Sequence, residues 1–184
     1  MKKIIALVVC LLITASAFAF DPGEKLVWGS ADFESYTPYK DADPITTFGI
    51  TTMVSYFLMK DISLDVLLEW GSTSYKSSKS DTYTYSDLLI GLGGSFFINN
   101  FYVGARFLYD LYSSKISSKD DDTWTQNGTF LSFGGGYLFP LIENVYIDIG
   151  ADYTFGLGDY SGDADGKNEE SVIGVGAGIV VEIP

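Results

Sequence analysis

Residues 47–72 read TFGITTMVSYFLMKDISLDVLLEWGS, with large apolar side chains at alternate positions on either side of Lys60-Asp61. Successive side chains of a β-strand point to opposite faces, so a period of two predicts a strand that has one apolar face. Two such runs separated by only two residues are typical of a β-hairpin. The segment therefore predicts two antiparallel strands joined by a tight turn.

The same alternation recurs in five further segments, which are 88–98, 101–112, 129–139, 145–157 and 171–183. An eighth strand is predicted over 24–36, where Leu26 and Trp28 interrupt the alternation. The chain is therefore predicted to be all-β, with eight antiparallel strands that run up and down in a single barrel.

The predicted connections alternate in length along the chain. Three are short, at 60–61, 99–100 and 140–144, and four are longer and polar, at 37–46, 73–86, 113–128 and 158–170. Transmembrane barrels of bacterial outer membranes have short periplasmic turns and long extracellular loops. An even number of strands would place both chain termini on the periplasmic side.

The first residues have the pattern of a secretory signal peptide. Two lysines precede an apolar run over 4–13, and small residues follow up to Ala19. The apolar run is shorter than the roughly 20 residues that a membrane-spanning helix needs. We expect cleavage after Ala19, so that residues 1–19 are removed and residues 20–184 form the barrel. Cys10 would leave with the signal peptide, which excludes disulfides and cysteine ligands in the mature chain.

Glycine dominates the face opposite to the apolar one. Its positions there are Gly49, Gly71, Gly91, Gly93, Gly104, Gly134, Gly136, Gly150, Gly156, Gly174, Gly176 and Gly178. Glycine weakens a strand, and a water-exposed sheet surface would favour Thr, Lys and Glu instead. The interior of an eight-stranded barrel is only wide enough to be filled by side chains, so missing side chains relieve crowding there. The glycine face is therefore predicted to point inward, and the apolar face toward lipid.

The same inward face carries the charges of the strand interiors. They are the carboxylates Asp65, Glu69, Asp87, Asp110, Asp148, Asp152 and Glu182 and one cation, Arg106. We predict an ion network in the lumen, in which Arg106 compensates several carboxylates and rigidifies the barrel. The alternative is that these side chains line a selective path through the barrel.

The signal peptide, the eight alternating strands and the alternating connection lengths together resemble the small eight-stranded outer-membrane β-barrel family, of the OmpX and OmpA membrane-domain type. The resemblance covers nearly the whole mature chain, and it is one of architecture, because no short motif accompanies it. It implies a transmembrane barrel in the bacterial outer membrane, to which the signal peptide directs the chain.

Composition excludes several classes of function. The sequence contains no histidine, so a Ser-His triad and a histidine metal site are impossible. The formal net charge of −13 becomes −15 without the two lysines of the signal peptide, which argues against nucleic acid as a partner. The acidic runs at 119–122 and 158–170 lack the ligand spacing of an EF-hand calcium loop. We therefore expect no enzymatic activity, no cofactor and no metal site.

We expect a structural or surface-interaction role for a monomer in outer-membrane lipid, with extracellular partners reached through the loops 73–86, 113–128 and 158–170. Two alternatives remain open. The first is a narrow passive pore for ions or small solutes, with a cation preference set by the acidic lumen. The second is a soluble periplasmic barrel that binds an apolar ligand, which would require the apolar face to point inward.

Overall fold

The computed structural model describes residues 20–37, 43–76, 82–117, 122–163, 166–167 and 171–184. The strands of these residues are β1 Lys25–Tyr36, β2 Ile45–Met59, β3 Ile62–Lys76, β4 Thr82–Ile98, β5 Phe101–Ser117, β6 Asp122–Ile142, β7 Val145–Gly156, β8 Asp159–Gly162, β9 Gly166–Lys167 and β10 Ser171–Ile183. The predicted signal peptide lies outside the described residues.

Eight of these strands, β1 to β7 and β10, form an antiparallel barrel. Each of β1 to β6 pairs with the next strand along the chain, and β10 lies between β7 and β1. The prediction of a single eight-stranded up-and-down barrel is confirmed. β8 and β9 form a small hairpin, in which β8 pairs with β6 at Gln126 and Asn127. The described part of the chain has no helix long and apolar enough to cross a membrane.

The three short connections are tight turns, and each contains one residue with a left-handed backbone. Asp61, Asn99 and Asn144 have φ values of 60°, 56° and 60°. Asn and Asp tolerate this conformation because their short polar side chains can bond to the local backbone. The third turn is shorter than the predicted connection 140–144, because β6 continues past Pro140, where its register with β7 shifts.

The predicted loops 73–86 and 113–128 are wrong for most of their length. β3 and β4 continue the sheet to Lys76 and from Thr82, and β5 and β6 do the same in the second segment. These segments are rich in Thr, Ser and Tyr, which form strands readily but show no apolar alternation. Alternation is lost because a sheet that projects from the membrane meets water on both faces. The long strands therefore carry the barrel beyond the bilayer on the loop side.

The apolar side chains of the strands point away from the lumen, as predicted. Exposed examples are Ile50, Val54, Leu64, Val66, Leu92, Val103, Phe107, Ile149 and Val175. An exposed apolar band of this extent is stable in contact with lipid and is a liability in water. This orientation does not fit a soluble barrel with an apolar interior, which required the opposite placement of the two faces.

A compact apolar floor closes the periplasmic end of the barrel. It consists of the buried side chains Phe20, Leu26, Trp28, Met53, Phe57, Phe97, Tyr102, Leu138, Tyr146 and Val180. Phe20 belongs to the segment before β1, and its ring stacks on Phe57 with a centroid distance of 4.7 Å. The N–H of the turn residue Asp61 donates to the carbonyl oxygen of Phe20 at 3.1 Å. Leu26 and Trp28 interrupt the alternation of β1 because they belong to this floor.

Phe20→Ala should lower the free energy of unfolding by about 3 kcal/mol, because it leaves a cavity beside Phe57 and Phe97. Phe20→Leu keeps most of the apolar volume and should cost less than about 1.5 kcal/mol. Urea titration of the barrel refolded in lipid vesicles measures both variants. Wild-type stability of the alanine variant would show that the segment before β1 contributes nothing to the floor.

Candidate functional site

The hydrogen-bond register places inward-facing residues of neighbouring strands in rows along the lumen wall. One row, from β1 to β6, contains Leu26, Ser55, Asp65, Gly93, Arg106 and Ser132. Asp65 and Arg106 are thus two strands apart, and the residue between them is Gly93, which has no side chain to obstruct the guanidinium. The register therefore selects Asp65 as the partner of Arg106.

Arg106 and Asp65 form a buried ion pair. The Nη2 atom of Arg106 lies 3.0 Å from Oδ2 of Asp65, and the two side chains are 11% and 0% exposed. The hydroxyls of Ser63 and Ser95 donate to the Asp65 carboxylate at 2.7 and 2.6 Å. Arg106 also donates to the Ser95 hydroxyl at 3.3 Å. These hydrogen bonds compensate the carboxylate for the water that it loses on burial.

The other carboxylates of the predicted network lie at separate places on the lumen wall. Hydroxyl groups donate to three of them: Tyr102 to Asp148 at 3.0 Å, Tyr146 to Glu182 at 2.6 Å, and Thr154 to Asp152 at 3.2 Å. The register places the remaining three, Glu69, Asp87 and Asp110, opposite Thr51, Gly71 and Leu89. Among the described residues, no three acidic side chains are grouped as metal ligands. Of the predicted network, Arg106 thus forms an ion pair with Asp65, whereas three other carboxylates accept hydrogen bonds from hydroxyl groups.

Glycines on adjacent strands make room for the long polar side chains of the lumen. A Cβ on Gly150 would lie 2.8 Å from the Tyr102 hydroxyl, and a Cβ on Gly136 would lie 2.7 Å from the same oxygen. Tyr102 therefore reaches Asp148 only because both neighbouring positions lack a side chain. The inward direction predicted for the glycine face is confirmed, and here its role is to leave space for a particular partner.

A second row of the lumen is apolar, which the prediction of a polar inner face missed. From β1 to β6 it contains Trp28, Met53, Leu67, Gly91, Leu108 and Phe130. The sequence carries a signal for this row, because Leu67 and Leu108 occupy positions that belong to the polar face by period two. The row separates the Asp65–Arg106 pair from Glu69, which lies one row closer to the loops.

A cavity of about 490 Å³ lies within the barrel beside these rows. Its apolar wall includes Trp28, Met53, Leu67, Leu89 and Leu108, and its charged lining residues are Glu69, Arg106, Asp148 and Asp152. The cavity continues toward the junction of β1 and β10, where Ser30 and Gly176 line it. A mostly apolar wall with a few charged groups is the usual character of a small-molecule site.

Stacked aromatic side chains cover the inner face of the projecting sheet on the loop side. This aromatic ladder consists of Tyr75, Tyr83, Tyr85, Tyr112 and Trp124, which lie on β3 to β6 and are half-buried. Ring centroids are 5.1 Å apart for Tyr75 and Tyr83, 5.9 Å for Tyr85 and Tyr112, and 5.5 Å for Tyr112 and Trp124. The hydroxyls of Tyr75 and Tyr85 are hydrogen-bonded at 3.0 Å. The rings therefore form one continuous surface across four strands.

Residues 5–181 match the family described as "Outer membrane protein beta-barrel domain". The chain belongs to this family. No curated protein matches its sequence. Family membership agrees with the outward apolar band, and the barrel is an outer-membrane protein.

Several solved structures share the fold of this outer-membrane barrel. Neisserial surface protein A is 16% identical with a TM-score of 0.51, over 89% of this chain and 98% of that one. Ail, the attachment invasion locus protein of Yersinia pestis, in complex with the heparin analogue sucrose octasulfate, is 16% identical with a TM-score of 0.57, over 88% and 99%. A major outer membrane protein from Thermus thermophilus is 13% identical with a TM-score of 0.51, over 87% and 99%. At these identities the similarity shows the fold alone.

Arg106→Met should lower the free energy of unfolding of this outer-membrane barrel by about 3–5 kcal/mol, because it leaves the Asp65 carboxylate buried without its cation. Adding Asp65→Asn removes that charge and should recover a large part of the loss. Urea titrations of the four proteins of this double-mutant cycle give the coupling between the two side chains. Additive losses would contradict a direct ion pair.

Gly150→Ala should destabilise the barrel, because the new methyl group would displace the Tyr102 hydroxyl from Asp148. Tyr102→Phe removes that hydroxyl, so the alanine should cost less in this background, by roughly 1 kcal/mol. Heat-modifiable migration on gels gives the thermal midpoints of the single and double variants. An equal cost in both backgrounds would place the clash at the Gly135 carbonyl oxygen, 3.2 Å from the new Cβ.

Proposed function

We propose that the protein is a surface-interaction barrel of the outer membrane, whose lumen is structural and whose projecting strands contact an extracellular partner. In this proposal the barrel performs no catalysis. The observation that carries the proposal is the aromatic ladder, which lies on the part of the sheet that extends beyond the apolar band.

The apolar floor supports a structural lumen. Phe57, Leu138 and Val180 have no exposed surface there, and Phe20 packs against Phe57 from the segment before β1. Conduction of ions or polar solutes needs a polar or wetted path along the whole barrel. The floor counts against such a path, so the narrow passive pore is the weaker alternative.

The aromatic ladder supports a role in recognition. Tyr and Trp are enriched in protein interfaces, because their rings supply a large contact area at low cost in conformational entropy and their polar groups form hydrogen bonds. Here the rings are held by paired β-strands and by one another, which limits the freedom that binding would have to remove. A preorganised surface of this kind suits an extracellular protein or peptide.

Charge indicates the chemistry of the partner. Asp87 is paired in the register with Tyr112 of the aromatic ladder, and the chain has a formal net charge of −13. Such a surface attracts basic partners and repels polyanions. Ail binds a heparin analogue in its solved complex, and we expect the opposite charge preference here.

Barrels embedded in nanodiscs should bind lysine-rich and arginine-rich peptides in surface plasmon resonance, and the affinity should fall as salt is raised. Tyr85→Ser and Tyr112→Ser should each weaken binding by about tenfold, since each removes an aromatic anchor. Tyr146→Phe, which changes a tyrosine of the floor at the opposite end, is the matched control and should bind like wild type.

Three results would contradict the proposal. The first is equal binding by the aromatic ladder variants and the control. The second is binding of heparin as strong as that of the basic peptides. The third is a series of steady conductance steps from the pure barrel in planar bilayers, which would favour the narrow pore.

A further inference from the structure

The junction between β1 and β10 differs from the other strand junctions of the barrel. The two strands pair only at the periplasmic end, where residues 25–29 face residues 179–183. Both strands continue toward the loop side, and there, among the described residues, β1 pairs with β2 alone and β10 with β7 alone. We name the opening between residues 30–36 and 171–178 the lateral seam.

The two strands diverge within a few residues. The ladder between them ends at Gly29 and Ile179, and a Cβ on Gly176, which lines the cavity from β10, would meet no atom within 4 Å. Ser30 and Asp32 belong to the lumen-facing side of β1 and are nevertheless exposed. The lateral seam is therefore an opening in the barrel wall.

The lateral seam joins the cavity to the outside of the barrel. Gly29 and Ser30 line the cavity from one edge, and residues 174–179 line it from the other. Unpaired backbone groups are costly in hydrocarbon and are tolerated where they line a water-filled cavity. The opening thus faces the cavity on its inner side and, at the depth of the apolar band, lipid on its outer side.

We propose that the lateral seam admits a single-chain amphiphile with a cationic head group from the bilayer into the cavity. The exposed apolar residues at its edges include Phe33 on β1 and Ile173 and Val175 on β10. Inside, the apolar row presents Leu67 and Leu108 to the cavity. Apolar side chains therefore lie on the outer side of the opening and again inside the cavity, where they can pack against an alkyl chain.

The charges around the cavity select the head group. Glu69, Asp148 and Asp152 line the cavity, while Arg106, the one cation among the described lining residues, is paired with Asp65. This excess of negative charge attracts a cationic head group and repels an anionic one. Because Glu69 lies one row above Leu67, a head group beside Glu69 leaves the alkyl chain against the apolar row. This role would give the lumen a ligand in addition to its structural role. It requires neither the aromatic ladder nor an extracellular partner, so it can fail or succeed independently of the proposed surface interaction.

Trp28 reports occupancy of the cavity, because its ring lies in the cavity wall. With Trp70→Phe and Trp124→Phe it is the last of the three tryptophans, and a bromine atom on an alkyl chain quenches its fluorescence on contact. The probes are bromoundecyl trimethylammonium and bromododecanoate, which carry opposite charges on alkyl chains of equal length. In phosphatidylcholine vesicles the cationic probe should quench at an about tenfold lower membrane concentration than the anionic probe.

A disulfide can close the lateral seam, because the one native cysteine, Cys10, belongs to the predicted signal peptide. Ala31→Cys with Ala177→Cys links positions that the periplasmic register would bring opposite each other if the pairing continued. Val27→Cys with Val181→Cys links strands that are already paired and is the matched control. The first disulfide should remove most of the quenching by the cationic probe, and the second should leave it unchanged. Gly176→Phe places a ring in the opening and should reduce quenching without oxidation.

Three outcomes would overturn the proposal. Equal quenching by the two probes would contradict selection by charge. Quenching that neither the 31–177 disulfide nor Gly176→Phe reduces would contradict entry through the lateral seam. Oxidation of the 31–177 pair as fast as the 27–181 pair, with no quenching in the reduced protein, would show that β1 and β10 are fully paired in lipid.

Discussion

Backbone hydrogen bonding is the constraint on which the rest of this barrel depends. A strand in hydrocarbon finds no water for its amides, so the sheet has to return to its first strand. Here β10 meets β1 along the periplasmic half, and the apolar floor lies at the same end. The filled end therefore holds the barrel closed, whereas the cavity occupies the part of the interior that borders the separated halves of β1 and β10.

The narrow interior explains the composition of the inner face. An eight-stranded barrel leaves little space inside, so a long polar side chain can reach over the adjacent strand only where that strand has no side chain at the neighbouring position. Arg106 passes Gly93 on its way to Asp65, and a Cβ on Gly71 would lie 2.6 Å from Oδ1 of Asp87. Each of these glycines is thus coupled to the charged residue beside it, because a side chain at the glycine position would take the space that the charged side chain occupies.

Alternation with a period of two predicted the strands and the direction of both faces, because partition into lipid acts on each side chain separately. It could not identify the partner of Arg106, since that depends on the register between strands, which the pattern leaves open. It also assigned residues 73–86 and 113–128 to loops, because strands that project beyond the membrane have no lipid-facing side and therefore show no apolar alternation. The lateral seam could not be predicted from alternation either, because it also depends on the pairing between strands. The residues at its edges alternate as in any other strand, and only their pairing differs.

The apolar exceptions on the inner face carry information of their own. A lumen that only had to be filled could use glycine and hydroxyl pairs throughout, as it does around Tyr102 and Asp148. Instead Leu67 and Leu108 form an apolar layer next to the row of Asp65 and Arg106, where the low local dielectric strengthens the ion pair and raises the penalty for breaking it. The same layer gives the cavity its apolar wall. Leucine at polar-face positions of a transmembrane strand therefore indicates an apolar layer inside the barrel, and this signal is present in the sequence before any register is known.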